Sequence, residues 1–419
     1  MNETFVTNIQ VINSRNITDL KIPLSKSEKK HLIITGKNGT GKTSLLEDIN
    51  RFLSQVDTGR YQSYLAQTNN LELLELQKSQ LLSQPKSATT QTRIGQLVPQ
   101  ITNYKKAIDH FGSTILSYLN PGDLTKKVAA GDYLIAFFNA KRQTDFKVPN
   151  GINKINLKKK YTIAEKVNSD FIQYIVNLKA DRSFARDDND NETVIKIDEW
   201  FERFENRLKT IFENQNLKLV FDSKNYNYQI IEENKLAFNF NTLSDGYSAI
   251  IHIVTELILR MEVHVLKAYD LEGIVLIDEL ETHLHVDLQK KILPFLTDFF
   301  PKIQFIVSTH SPFVLSSVSN AVICDLETSL ITNDLSGYSY DALIESYFNS
   351  DKYSEEIKQK INLFEVLSSQ RKLNEKEKEQ LHFLRNYFAH VPKYLSKELL
   401  VKLQQIELEN LNKKDNGAS

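Results

Sequence analysis

The chain is poor in several features that usually announce a function. Its 419 residues include one cysteine, Cys324, so no disulfide forms within it, which suits a reducing compartment. It has no surplus of charge. Fifty-two Lys and Arg face 53 Asp and Glu, which excludes a protein that coats nucleic acid by composition alone, though not a local basic groove. It has no long apolar run either. The most apolar stretch, Ala249 to Met261, is broken by His252, Thr255, Glu256 and Arg260, so nothing in it is fit to span a bilayer. The opening MNETFVTNIQ lacks a basic stretch followed by an apolar one, so no signal peptide is visible, and no internal repeat is found. With 41% hydrophobic and 25% charged residues, the composition is that of an ordinary globular chain of about two to three domains. The expectation is a cytoplasmic protein without a membrane partner.

The pattern along the chain is more telling. Residues 4–35 read as three strands, TFVTNIQVI, DLKIPL and HLIIT, and Gly36 opens a glycine-rich loop directly after the third. From Thr43, Leu45, Leu46, Ile49 and Phe52 fall on one helical stripe. Residues 59–125 turn polar, with Leu71, Leu74, Leu81 and Leu82 before Pro85 and Ile94, Leu97, Ile101, Tyr104, Ile108 and Phe111 after it. This predicts a helical hairpin, its arms on the order of 15–25 residues, ended by a turn at Asn120-Pro121-Gly122. DYLIAFFN (132–139) predicts a buried strand, 161–182 and 194–214 helices, and 218–231 a strand hairpin. A second α/β block runs from Phe238 to about Asp325, and a charged helical tail follows. The expected division is 1–58 and 131–330 as one split head, 59–130 as the inserted hairpin, and 331–419 as a helical docking region.

Gly36-Lys37-Asn38-Gly39-Thr40-Gly41-Lys42-Thr43 fits G-x-x-x-x-G-K-[ST] in full, with Ser44 following. Glycines let backbone N–H groups turn inward around phosphate oxygens, and the helix that follows adds its positive end. Lys42 would reach the β and γ phosphates, and the Thr43 hydroxyl would ligate Mg²⁺. The run GIVLI (273–277) ends in Asp278 and Glu279, at the sheet edge where α/β proteins bind ligands. Asp278 would hold Mg²⁺ and Glu279 would polarise an attacking water. IQFIVSTH (303–310) is another strand, ending at His310, whose imidazole would bond a γ-phosphate or that water. His283 and His285 have no third partner for a metal and read as interface residues.

Leu243-Ser244-Asp245-Gly246 precedes a long amphipathic helix, with Ser244 as its N-cap. A second small-residue helix start makes sense if it closes over a nucleotide held by another copy. The ordered set resembles the ATP-binding-cassette, AAA-family ATPases, in particular the soluble SMC, RecF and OLD-like group, over roughly residues 1–58 and 130–330. The resemblance implies an ABC-type P-loop head with a mixed sheet, ATP and Mg²⁺ as cofactors, and a homodimer or higher even oligomer. It implies that Gly36, Asn38, Gly39, Thr40, Gly41, Lys42, Thr43 and Ser44 form the Walker A loop, and Leu243, Ser244 and Gly246 the signature. Asp278 and Glu279 are then the Walker B pair, His310 the switch histidine and Glu281–His285 the D-loop. Arg15 corresponds to a phosphate-approaching arginine of the group, with Ser14 in place of the usual aromatic. Gln143 stands for the Q-loop glutamine at the metal, and Leu280 where many relatives have proline.

The hairpin is far too short for an SMC arm. After residue 326 there is no Asp-x-Asp, so a nuclease site in this chain is not expected. The layout resembles phage-defence ATPases of the Septu type, which act beside a separate nuclease effector. The alternative is a RecF-type ATPase that binds DNA through Lys105-Lys106, Lys126-Lys127 and Lys158-Lys159-Lys160. A GTP-dependent switch is disfavoured, because Asn153-Lys154-Ile155-Asn156 lacks the carboxylate that reads guanine.

Overall fold

Runs that are largely apolar and buried on every side belong in the middle of a sheet covered on both faces, and HLIIT, GIVLI and IQFIVS are such runs. The computed structural model describes residues 3–85, 87–233, 235–263, 270–338, 343, 355–370 and 373–389, which fall into two units, 1–338 and 339–419. Along the first unit run β1 (Val6–Ser14), β2 (Ile17–Pro23), β3 (His31–Thr35), α1 (Lys42–Asp57), α2 (Tyr61–Leu82), α3 (Ala88–Asp109), β4 (Thr114–Tyr118), α4 (Pro121–Ala130) and β5 (Leu134–Phe138). Then come α5 (Phe171–Asp187), α6 (Asn191–Phe212), β6 (Lys218–Asp222), β7 (Asn227–Ile231), β8 (Phe238–Asn239) and α7 (Asp245–Met261). The last are β9 (Gly273–Ile277), α8 (Val286–Phe299), β10 (Ile303–Ser308), α9 (Pro312–Leu315), β11 (Ala321–Asp325) and β12 (Leu330–Asn333).

The main sheet has the order β12-β11-β3-β10-β9-β5. All its pairings are parallel except that of β12 on β11. Antiparallel β2-β1-β4 forms a second sheet and β6-β7-β8 a third. A core from Val6, Ile9 and Val11 through Leu45, Ile49 and Phe52 to Leu32, Ile34 and Ile306 joins the first two sheets around α1. A buried amide also ties them. Gln304 on β10 accepts from the Val6 backbone N–H at 2.7 Å and donates to the Val6 and Lys30 carbonyls at 3.0 and 2.7 Å. Its side chain thus does for β1 what a neighbouring strand would.

The structure departs from the sequence expectation in three places. Thr114–Tyr118 is a strand paired with β1 and not part of the helical hairpin, because its side chains alternate between buried and half-buried or exposed. Asn120-Pro121-Gly122 opens α4 instead of ending a segment, with proline at the helix start where a missing N–H costs nothing. The hairpin itself is α2 and α3, each 22 residues or about 33 Å long. Residues 161–167 are not helical. The N–H groups of Ile163, Val167 and Asn168 bond to the carboxylates of Asp57 and Glu256, so side chains replace the intrahelical acceptors. The following helix starts instead at Phe171, after a short 3-10 turn.

In the second unit α10 (Glu355–Ser369) and α11 (Glu375–Ala389) pack through Ile361, Phe364, Leu367, Leu384 and Phe388. Asn374 and Glu377 exchange backbone and side-chain hydrogen bonds as a capping box at the start of α11. Phe383 is exposed. Tyr347 and Phe348, within the expected docking region 331–419, lie outside the described residues.

His31 supplies a pH test of this fold. It is buried beside Phe305, its Nδ1 accepts the Phe305 N–H at 3.0 Å, and burial pushes its pKa down to about 3. The folded chain therefore holds it neutral while the unfolded chain protonates it below about 6.5. Stability tied to His31 should be full above that pH and fall by up to about 1.4 kcal/mol per pH unit as pH drops towards the folded value. His31→Asn, which keeps an acceptor but cannot titrate, should flatten that part of the curve in urea unfolding between pH 7 and pH 5. Equal acid sensitivity in both proteins would contradict the assignment.

Candidate functional site

Because β3, β9 and β10 run parallel and adjacent, the segments that follow them emerge at one edge of the sheet. The loop after β3 turns on three left-handed glycines, Gly36 (φ 136°), Gly39 (φ 86°) and Gly41 (φ 101°). A Cβ on Gly36 would lie 2.8 Å from Thr40 Oγ1, so the turn is closed to larger residues. Lys42 folds back across the loop and donates to the Gly36 and Lys37 carbonyls at 2.8 and 3.1 Å. Burial lowers its pKa, opposed by the nearby carboxylates of Glu281, Glu279, Asp278 and Asp325. Asn38 and Gly39 stand exposed at the loop tip, Thr43 is exposed at the start of α1, and Ser44 is buried.

Asp278 is buried at the end of β9. Its Oδ1 accepts the Ser308 hydroxyl at 2.6 Å and lies 3.4 Å from Thr43 Oγ1. The same Ser308 oxygen accepts the Glu279 N–H at 2.8 Å. Glu279 sits in the left-handed region at φ 45°, a backbone state that costs a non-glycine residue about 1–2 kcal/mol. Thr282 donates its hydroxyl to Glu279 Oε2 at 3.1 Å, leaving Oε1 without a partner among the described residues. His310 donates its backbone N–H to Glu281 Oε1 at 2.5 Å. Burial, then the Lys42 charge, lowers the His310 pKa against the pull of Glu281, Glu279 and Asp278. The imidazole is therefore neutral at pH 7, with one nitrogen to donate and one to accept.

Ser244 occupies the N-cap position of α7, but its hydroxyl makes no capping bond, a departure from the role expected of it. It is exposed together with Asp245, while Leu243 is half-buried. Gly246 is buried against the turn after β9, and a Cβ there would meet the His283 carbonyl at 2.8 Å. The start of α7 and the turn at Glu281–His285 are thus in close backbone contact. His283 and His285 themselves are exposed.

Arg15 is exposed in the β1–β2 turn at φ 47°. Its neighbours bring that turn onto the phosphate loop. Asn16 Nδ2 reaches the Gly39 carbonyl at 3.5 Å, and Ile17 Cδ1 lies 3.4 Å from where a Gly41 Cβ would be. Gln143 is exposed and its side chain makes no hydrogen bond among the described residues; its carbonyl pairs with His252 Nδ1 at 2.9 Å. The structure therefore gathers the phosphate loop, Asp278, Glu279 and His310, with no hydrogen bond among the described residues between them and the Gln143 side chain.

Sequence reasoning passed over Ser308 and Arg142, which hold this edge together, and gave Glu281 and Thr282 only a place in the expected D-loop. The buried Arg142 donates to the Asp278 and Glu279 carbonyls at 2.6 and 2.9 Å. Ser308 was within the strand motif, but nothing in a linear pattern says that its hydroxyl faces β9. The basic runs proposed for DNA look different in three dimensions. Lys105, Lys126, Lys127, Lys159 and Lys160 pair with Glu75, Asp123, Glu272, Asp132 and Asp57 at 2.8, 3.8, 2.7, 3.4 and 3.3 Å. Lys158 pairs with Glu165. Much of the positive charge of these runs is locally balanced.

A family model described as "AAA domain, putative AbiEii toxin, Type IV TA system" matches residues 122–316, which hold Asp278, Glu279 and His310 and begin after the phosphate loop. The chain is similar to the Septu protein PtuA of Bacillus mycoides (strain KBAB4), 32% identical over 39% of this chain and 25% of that one. It is also similar to the "Retron Vc95 probable ATPase" of Vibrio cholerae serotype O1 biovar El Tor, 41% identical over 19% of this chain and 16% of that one. The aligned stretches thus span a quarter or less of these relatives' own length. Among solved structures, the SMC head bound to the C-winged helix domain of ScpA aligns with 77% of this chain and 93% of that one. Its identity is 12% and its TM-score 0.34, too loose a likeness to carry an argument. The fold is α/β, built on a mixed six-stranded sheet, and its 122–316 segment matches the AAA-domain model.

The Gly246 contact is directly testable. Gly246→Ala should push α7 away from the His283 carbonyl and destabilise the fold by about 1–3 kcal/mol in denaturant unfolding. Gly39→Ala, with no atom within 4 Å of its Cβ, carries only the cost of its left-handed backbone and should be milder. Equal losses in the two variants would count against the packing described.

Proposed function

We propose that the chain binds ATP with Mg²⁺ and hydrolyses it to ADP and phosphate, and that two copies close head to tail around two nucleotides. The observation that carries this reading is the convergence of Lys42, Thr43, Asp278, Glu279 and His310 at one sheet edge. The loop's left-handed glycines and the helix start at Lys42 fit a polyphosphate. Two oxygens 3.4 Å apart, Thr43 Oγ1 and Asp278 Oδ1, fit a hard divalent cation that takes its remaining ligands from phosphate and water. Bound there, Mg²⁺ would neutralise phosphate charge; Gln143 is a further oxygen ligand for it within the same reading.

The chain's own residues then divide the work. Lys42, freed from its two carbonyls, places its charge on the β and γ phosphates. Glu279 presents Oε1 to a water and takes its proton as the oxygen attacks the γ-phosphorus. Neutral His310 donates to the γ-phosphate or orients the water. Arg15 reaches phosphate from the turn lying on the loop. The exposed Ser244 hydroxyl, with no capping bond to satisfy, is available to a γ-phosphate held by a second copy, which makes the active unit a homodimer or a higher even oligomer.

The similarity to Septu PtuA and a retron ATPase supports a place in anti-phage defence, with nucleotide state controlling a separate nuclease or other toxic effector. The balanced lysines favour this over a DNA-repair ATPase, whose groove would need unpaired positive charge.

Purified protein should hydrolyse ATP, and Glu279→Gln should slow it by at least about 100-fold. The variant should also accumulate as a dimer with ATP and Mg²⁺ in size-exclusion chromatography with light scattering, while Lys42→Ala should stay monomeric. Hydrolysis that is absent in the parent, or unchanged in Glu279→Gln, would refute the reading.

A further inference from the structure

A buried guanidinium ordinarily sits against a carboxylate, because an unpaired buried charge is costly. Arg142 is 2% exposed, and its hydrogen bonds among the described residues all go to backbone carbonyls: Asn139 at 2.7 Å, Asp278 at 2.6 Å and Glu279 at 2.9 Å. The last two carbonyls belong to the peptide units on either side of Glu279. The angle between those units is the backbone conformation of Glu279, and that conformation is left-handed. A planar fork gripping both oxygens therefore sets it directly, which a single-point donor would not do.

The fork is itself held. Thr144, two residues on, bonds Ser248 through both its N–H and its hydroxyl, at 2.8 and 2.9 Å, and the Gln143 carbonyl meets His252 Nδ1 at 2.9 Å. Further along the same segment, Glu256 accepts the N–H groups of Val167 and Asn168 at 2.9 and 2.8 Å, and Arg260 donates to the carbonyls of Thr162 and Glu165. Ser248, His252, Glu256 and Arg260 are spaced four apart on α7, so one helix face grips the segment that carries Arg142. The same helix begins with the exposed Ser244 and Asp245.

We propose that Arg142 is the positioning residue for Glu279, locking the backbone that aims its carboxylate and tying that backbone to α7. The proposal rests on the reading of Glu279 as the general base. Losing the fork frees the Glu279 backbone to relax to a right-handed state, which re-aims the carboxylate and leaves the phosphate loop untouched.

Arg142→Ala and Arg142→Lys in the 419-residue chain test this, with folding checked by circular dichroism. The expected result is kcat lowered about 10- to 100-fold in both, with KM and the affinity for a fluorescent ATP analogue within about threefold of the parent. Added guanidinium should raise turnover in Arg142→Ala and not in Arg142→Lys. Amide hydrogen exchange should quicken over 278–284 with 31–44 unchanged, a readout that needs no turnover. A kcat within twofold of the parent, or unchanged exchange over 278–284, overturns the proposal. If the parent itself shows no hydrolysis, the ATPase reading falls and the exchange result alone decides on Arg142. If Arg142→Ala does not fold, Arg142→Lys is judged by the same kinetic and exchange outcomes.

Discussion

The placement of β10 between β3 and β9 is the constraint from which the rest of the site follows. Val307 pairs with Ile33 on one side and Ile277 on the other, so the residues just beyond each strand come level at one edge. That register puts Ser308 where one hydroxyl can donate to Asp278 and accept from Glu279. It also puts the His310 N–H on Glu281. A shift of one residue would turn Ser308 to the opposite face of the sheet and break all of these contacts together.

Around this edge the molecule invests buried charge in holding backbone. Arg142 caps carbonyls after β9, and Glu256 and Arg260, themselves ion-paired at 2.8 Å, cap N–H and carbonyl groups of residues 162–168. Asp57 at the end of α1 accepts the Ile163 N–H, and Lys160 pairs with it. The irregular stretch between β5 and α5 is thus fastened to α1, to α7 and to the end of β9. A segment with so few regular hydrogen bonds persists only because side chains satisfy its polar groups.

Some of this was legible in the residues. The glycine spacing of 36–43, the apolar runs of β3, β9 and β10, the acidic pair at 278–279 and His310 all stood out, because each is a short local pattern with a local physical reason. The helical hairpin was legible too, from its period and Pro85. The strand at 114–118 was not, since five residues beside a long helical pattern look like its continuation until β1 is there to pair with them. Residues 161–167 looked helical because the carboxylates that intercept their N–H groups lie about 90 to 106 positions away.

The sequence alone thus determined the class of chemistry, a phosphate loop followed by carboxylates and a histidine at strand ends, since backbone conformation and side-chain type at those positions are local properties. Only the tertiary structure decided how those groups are aimed. Thr43 meets Asp278 across 235 positions, Ser308 meets Asp278 across 30, and Arg142 reaches the Asp278 carbonyl across 136. Such contacts depend on which face of each strand is turned inward and on the packing that fixes it, and no spacing along the chain encodes that by itself.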